Sequence, residues 1–127
     1  MTSLADIFQC YAAFISAGNV EGILSLYAPN ASVQIPVGGP VHNGIDAVRA
    51  FYRDNELARK VEITGPACVA GREGAVPMRA TIARDGDLME VDVIDVAELD
   101  EQGRLVRLRA FFDLGGARKI GSAEPRR

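Results

Sequence analysis

Asp95 is the residue whose position most invites chemistry. Over residues 88–97, Met89, Val91 and Val93 alternate as one apolar row and Asp95 is its next member, while Glu90 and Asp92 fall on the opposite face. Side chains of a strand point alternately to its two faces, so this carboxyl is expected to face inward among apolar neighbours. A buried carboxyl without a cationic partner escapes the cost of burial mainly by keeping its proton. In that form it is a hydrogen-bond donor, suited to stabilising an oxyanion as it develops. The alternatives are a structural Asp satisfied by backbone or water, and a register one residue out of step. Tyr11, Tyr27 and Tyr52 each fall on the apolar side of a different predicted helix. A buried phenol needs a partner for its hydroxyl. With Asp95 the three could form one hydrogen-bonded cluster, or each could be a core residue with its hydroxyl at the rim. Spacing alone does not bring them together.

The elements that must hold these groups begin with helices. Leu4, Ile7, Phe8, Tyr11, Phe14 and Ile15 recur at helical spacing, which predicts an amphipathic helix over residues 3–17 ended by Gly18-Asn19. Ser3 and Asp6 form a variant capping box at its start. Asn19 is placed to cap a second short helix carrying Ile23, Leu24 and Tyr27 and stopped by Pro29-Asn30. Residues 31–35 read as a strand with Ala31, Val33 and Ile35 on one face and Ser32 and Gln34 on the other. Residues 36–44 are a Pro/Gly-rich loop, and Val48, Phe51 and Tyr52 mark a third helix to about Asn55. Strands follow over residues 60–64, 69–70, 75–83, 88–98 and 104–114, with Asp85-Gly86 as a hairpin turn. The last strand sets Val106, Leu108, Ala110 and Phe112 on one face, and Arg107, Arg109 and Asp113 on the other. Helices followed by a run of antiparallel strands argue for an α+β domain with the helices on one face of a curved sheet. Residues 1–127 are expected to form a single domain of this kind, with the tail 115–127 frayed.

Bulk properties narrow the classes. The chain has 127 residues, is 48% hydrophobic and carries a net charge of −3, enough for a core and a small pocket. Acids and bases are interspersed, so neither a nucleic-acid nor an anionic-membrane surface is expected. The chain does not open on a basic segment followed by an apolar one, and no apolar run is long enough to cross a bilayer. Cys10 and Cys68 have neither metal-ligand spacing nor a disulfide framework, and His42 is the single histidine. These features fit a cytoplasmic protein that needs no metal and no cofactor.

Several segments resemble the Δ5-3-ketosteroid isomerases (steroid Δ-isomerases), within the wider nuclear-transport-factor-2-like or SnoaL-like superfamily. They are Ala17-Gly18-Asn19-Val20-Glu21-Gly22-Ile23, Leu26-Tyr27-Ala28-Pro29-Asn30-Ala31-Ser32-Val33 and Val48-Arg49-Ala50-Phe51-Tyr52-Arg53, followed by Ile63-Thr64-Gly65-Pro66, Asp92-Val93-Ile94-Asp95-Val96 and Asp100-Glu101-Gln102-Gly103-Arg104. The likeness covers about residues 4–113. It implies a cone-shaped (cystatin-like) curved antiparallel sheet, with the three helices packed on its concave face, and a homodimer that the outer face around Ile94 and Val96 could supply. It further implies that Tyr11 donates to a substrate carbonyl with Asp95 as second donor, and that Tyr52 and, behind it, Tyr27 support Tyr11. Met78, Ala80, Val93 and Phe112 would line an apolar slot for a flat polycyclic ligand. Ketosteroid isomerase is itself a known instance of a protonated Asp beside a Tyr forming an oxyanion hole. The raised pKa expected of Asp95 therefore agrees with the family pattern and is not independent of it.

One position departs from that pattern. The family places its catalytic base in a Val-Glu-Asp-Pro segment that here reads Val33-Gln34-Ile35-Pro36. Ile35 stands where the proton-shuttling Asp belongs, and a positioned base contributes about 10²–10⁴-fold to rate. His42, a water held by Gln34, and Asp113 (which resembles last-strand acids elsewhere in the superfamily but would need a bulge to reach the slot) are the candidates to replace it. Asp54 and Glu56 could approach the pocket mouth. Three functions stay open: a steroid isomerase with an altered proton shuttle, a non-catalytic steroid- or phenol-binding protein, and a SnoaL-like enzyme of altered chemistry such as epoxide opening.

Overall fold

The computed structural model describes residues 3–123. Helix α1 (Leu4–Ala17) starts where the Ser3 hydroxyl accepts from the Asp6 N–H, and ends where Gly18 turns left-handed at φ 67°. That turn lets the Gly18 and Asn19 N–H groups satisfy the Ile15 and Phe14 carbonyls. The Asn19 side chain caps α2 (Val20–Ser25) by accepting from the Gly22 N–H. Strand β1 (Tyr27–Gln34) follows, then a two-residue strand β2 (His42–Asn43) and helix α3 (Ile45–Asp54). The remaining strands are β3 (Lys60–Ile63), β4 (Cys68–Ala70), β5 (Glu73–Arg84), β6 (Asp87–Leu99), β7 (Leu105–Phe111) and β8 (Arg118–Ser122).

The strands form one open sheet in the order β2-β1-β7-β6-β5-β3, with β4 also on β5 and β8 on β6. Its spine is the long β5–β6 hairpin, paired without interruption from Glu73↔Glu98 to Arg84↔Asp87. Asp85 and Gly86 close it with positive φ values of 51° and 81°, the two-residue turn suited to strand twist. The buried stripes of the helices, including Phe8, Ile23 and Val48, pack with Val33, Val76, Leu105 and Leu108 of the sheet into the core. This is the α+β cone arrangement, three helices on a curved sheet.

Four expectations need correction. The sheet is mixed, because β1 and β7 pair in parallel. Tyr27 opens β1 and is not on α2: the Leu26 carbonyl accepts from the Leu105 N–H, so pairing with β7 begins where the helix stops. Pro29 and Asn30 then sit in the irregularity between Tyr27 and Ser32, where a missing N–H costs nothing. In β7, Glu98 pairs Arg107 while Leu99 pairs Leu105, so Val106 is the extra residue of a bulge and Leu105 takes the buried place. The tail is not frayed throughout. Residues 118–122 form β8 against the outer half of β6, which β7 leaves unpaired, and Arg118 meets Asp92 and Glu90 there. Residues 124–127 lie outside the described part. Cys10 and Cys68 are free and exposed. Among the described residues no helix is long and apolar enough to cross a membrane.

Candidate active site

The open end of the cone encloses a cavity of about 460 Å³. Tyr11, Tyr52, Asp95, Ile35, Met78, Ala80, Val93 and Phe112, the positions singled out in the sequence, all line it. Tyr27 stands behind them. Its hydroxyl is 2.7 Å from the Tyr52 hydroxyl, which is in turn 2.9 Å from that of Tyr11. Three elements therefore deliver one chain of phenols: α1 carries Tyr11, the start of β1 carries Tyr27 and α3 carries Tyr52. All three rings are buried, and burial holds every phenol well above its usual pKa, so each keeps its proton. A chain of neutral hydroxyls ending at Tyr11 can pass hydrogen-bond polarisation toward whatever Tyr11 donates to.

Asp95 is 3% exposed and is the one buried charged-type residue among those described. It follows Val91 and Val93 on the inner face of β6, as strand alternation requires. Burial alone pushes its carboxyl from 3.8 to about 7, and among the described residues no hydrogen bond or cation offsets that cost. At neutral pH a large share of the population holds a protonated carboxyl that faces the cavity with its donor unused.

The sheet register locates Ile35 relative to Asp95. Asp95 pairs Ala110 on β7 and Val76 on β5. The parallel pairs Val33↔Leu108 and Gln34↔Arg109, continued by one step, set Ile35 beside Ala110, whose carbonyl also accepts from the Val37 N–H. Ile35 and Asp95 thus flank Ala110 in one row, about 10 Å apart at two strand spacings. The small, buried Ala110 lies between them on the cavity wall.

The candidate replacement bases lie elsewhere. The His42 ring stacks on Phe51 at 4.8 Å and does not line the cavity. Gln34 faces away, with its amide donating to the Gly39 carbonyl and its oxygen accepting from Arg109, so it is not placed to hold a water over the row. Asp113 caps a short 3-10 turn, Leu114–Gly116, by accepting from the Gly115 N–H, and is exposed. Of the two acids after α3, Asp54 is off the wall and Glu56 is on it. Glu56 belongs to the outer rim, however. The Arg59 N–H donates to the Thr81 carbonyl, and the β3–β5 register continued backwards brings Leu57 level with Arg84, far along β5 from Asp95. Glu56 at the mouth was expected from the sequence, but its rim neighbours Asn55, Ala83 and Arg84 were not. Arg84 was legible, being next in the alternating row Met78, Ala80, Ile82.

Comparison with known proteins bears on the family and the fold. The SnoaL-like domain family model matches residues 8–108. A steroid Δ-isomerase from Nocardioides simplex is 31% identical over 102 residues, which is 80% of this chain and 82% of that protein. The epoxide hydrolase LasB from Streptomyces lasalocidi is 35% identical over 71 residues, 54% of this chain but only 25% of that larger protein. Among solved structures, the epoxide hydrolase/cyclase-like enzyme SalBIII, described for pyran ring formation in the polyether salinomycin, superposes with a TM-score of 0.79. That alignment covers 93% of this chain and 94% of SalBIII at 23% identity, a likeness of fold alone. From the family match and the isomerase relative, the chain belongs to the SnoaL-like family, in its ketosteroid-isomerase-like branch.

Proposed function

We propose that the protein binds a 3-ketosteroid or similar polycyclic ketone, polarises its carbonyl with Tyr11 and protonated Asp95, and moves the α-proton only slowly because Ile35 replaces the base. The observation that carries this reading is an unused, buried carboxyl on the wall of the same apolar cavity as the end of a buried phenol chain, near enough that its charge acts on Tyr11. A carbonyl seated there would receive two hydrogen bonds whose strength grows as its oxygen gains charge. Tyr52 and Tyr27 hold the Tyr11 hydroxyl in place and keep it polarised. Met78, Ala80, Val93 and Phe112 supply the apolar walls. No cofactor enters the scheme. Assembly as a homodimer through the outer face of the sheet, where Ile94 is 49% and Phe111 40% exposed, belongs to the same proposal.

Binding of a phenolic analogue of the enolate intermediate tests the donor pair. Asp95→Ala should weaken it by roughly tenfold or more, the worth of a hydrogen bond to a charged group. Tyr11→Phe should also abolish the change in phenol absorbance on binding. Unchanged affinity in both variants contradicts the reading. A second reading is favoured by Ile35 itself: with no carboxylate beside Ala110, the site is a receptor for a keto or phenolic polycycle without turnover. Altered chemistry such as epoxide opening has less support. It needs an acid and a base on one reacting centre, and Asp95 and Glu56 stand at opposite ends of the cavity.

A further inference from the structure

We infer that Arg84 is a second anchor of the cavity, and that the ligand is a polycyclic ketone whose side chain ends in a carboxylate. The inference rests on the proposed seating of the ketone against Tyr11 and Asp95.

Strand β5 turns Val76, Met78, Ala80, Ile82 and Arg84 to the same face by alternation, and the last four line the cavity. Val76 is level with Asp95, so the row begins at the carbonyl site and ends on a guanidinium. Eight residues separate the two levels, roughly 26 Å of strand contour. A rigid four-ring nucleus with its carbonyl on Asp95 is too short for Arg84; a nucleus extended by a flexible side chain reaches it.

The guanidinium at the rim has no partner among the described residues. Of the ten described arginines, Arg84 is the one with neither an ion pair, a hydrogen bond nor a ring contact. Arg49, Arg53, Arg59, Arg72, Arg79, Arg104, Arg107 and Arg118 each pair an acid. Arg109 donates to Gln34 and covers Phe111. The acids near Arg84 are engaged elsewhere or turned away. Glu56 on the rim meets Arg59 at 3.7 Å, and Asp87 across the hairpin meets Lys119 at 3.2 Å. Asp85 occupies the turn with φ 51° and makes no ion pair. An unmatched planar fork of donors at the end of an apolar slot is the complement of a carboxylate. Arg84 is exposed at the hairpin tip, and its place at the end of the lining row is what sets it apart from the other surface arginines.

The test uses three 4-en-3-one steroids: one with a carboxylate-terminated side chain, its methyl ester, and one without a side chain. Their affinities are measured by calorimetry for the native protein, Arg84→Gln and Arg84→Lys, at low and high salt. The native protein should prefer the acid to its ester by about fivefold at low salt, the upper worth of an exposed ion pair. High salt should shrink the preference, Arg84→Gln should remove it and Arg84→Lys should restore part of it. Equal affinities for acid and ester in the native protein, or a preference that survives Arg84→Gln, would overturn the role of Arg84 while the ketone site stands. If the steroid without a side chain also fails to bind, the ketone reading falls and this inference falls with it.

Discussion

The Asp95 carboxyl keeps its proton to about pH 7 in the folded protein, whereas in the unfolded chain it ionises near 3.8. Below both values the two states bind the same proton and Asp95 does not affect stability. Between them the unfolded state releases the proton and the folded state retains it, so stability falls as pH rises. Above about 7 the full penalty applies, on the order of 4 kcal/mol. Asp95→Asn removes the titration. In urea denaturation from pH 4 to 8 the native protein should lose stability relative to this variant, and parallel curves would mean that Asp95 ionises normally when folded. Under the proposed function the same proton is the one offered to the ligand, so the residue that weakens the fold above neutral pH would be the one that equips the site. Its inward place was legible from alternation with Val91 and Val93. The absence of any internal partner was not, because partners come from other elements.

Elements with local punctuation were the readable ones. Helix α1 was bounded by Ser3 and Gly18 and by its apolar spacing, and the structure keeps both ends. Gly18 lies at φ 67° with open space around a would-be Cβ, so Gly18→Ala tests backbone strain without a clash. It should cost about 1 kcal/mol in denaturation experiments, as expected for a left-handed residue that gains a side chain. What escaped the sequence was decided by distant strands. Tyr27 has the spacing of an α2 residue, but the parallel pairing of β1 with β7 claims it for the sheet. β2 and β8 are short and lack a distinct alternation; they exist because β1 and β6 offer them free backbone edges. The chain of hydroxyls forms all the same, since Tyr27 reaches Tyr52 from a strand.

Across the whole molecule the two faces of the sheet differ in character. The inner face carries the row from Asp95 to Arg84. The outer face leaves Ile94 and Phe111 half exposed on neighbouring strands, level with each other. Under the proposed dimer, Ile94→Arg should convert the protein to a monomer in analytical ultracentrifugation while its helical circular dichroism is retained. A native protein that is already monomeric would contradict that assembly.

Under the proposed function a donor pair and an apolar slot persist around a missing base, and Ile35 is the place to test it. The rate of conjugated enone formation from a 5-ene-3-ketosteroid should be compared for the native protein and Ile35→Asp, with ketone binding verified in both. A carboxylate at 35, across Ala110 from Asp95, should raise a slow native rate by about 10² or more. A native protein already as fast as its variant, or a variant that binds the ketone and gains nothing, would contradict the account.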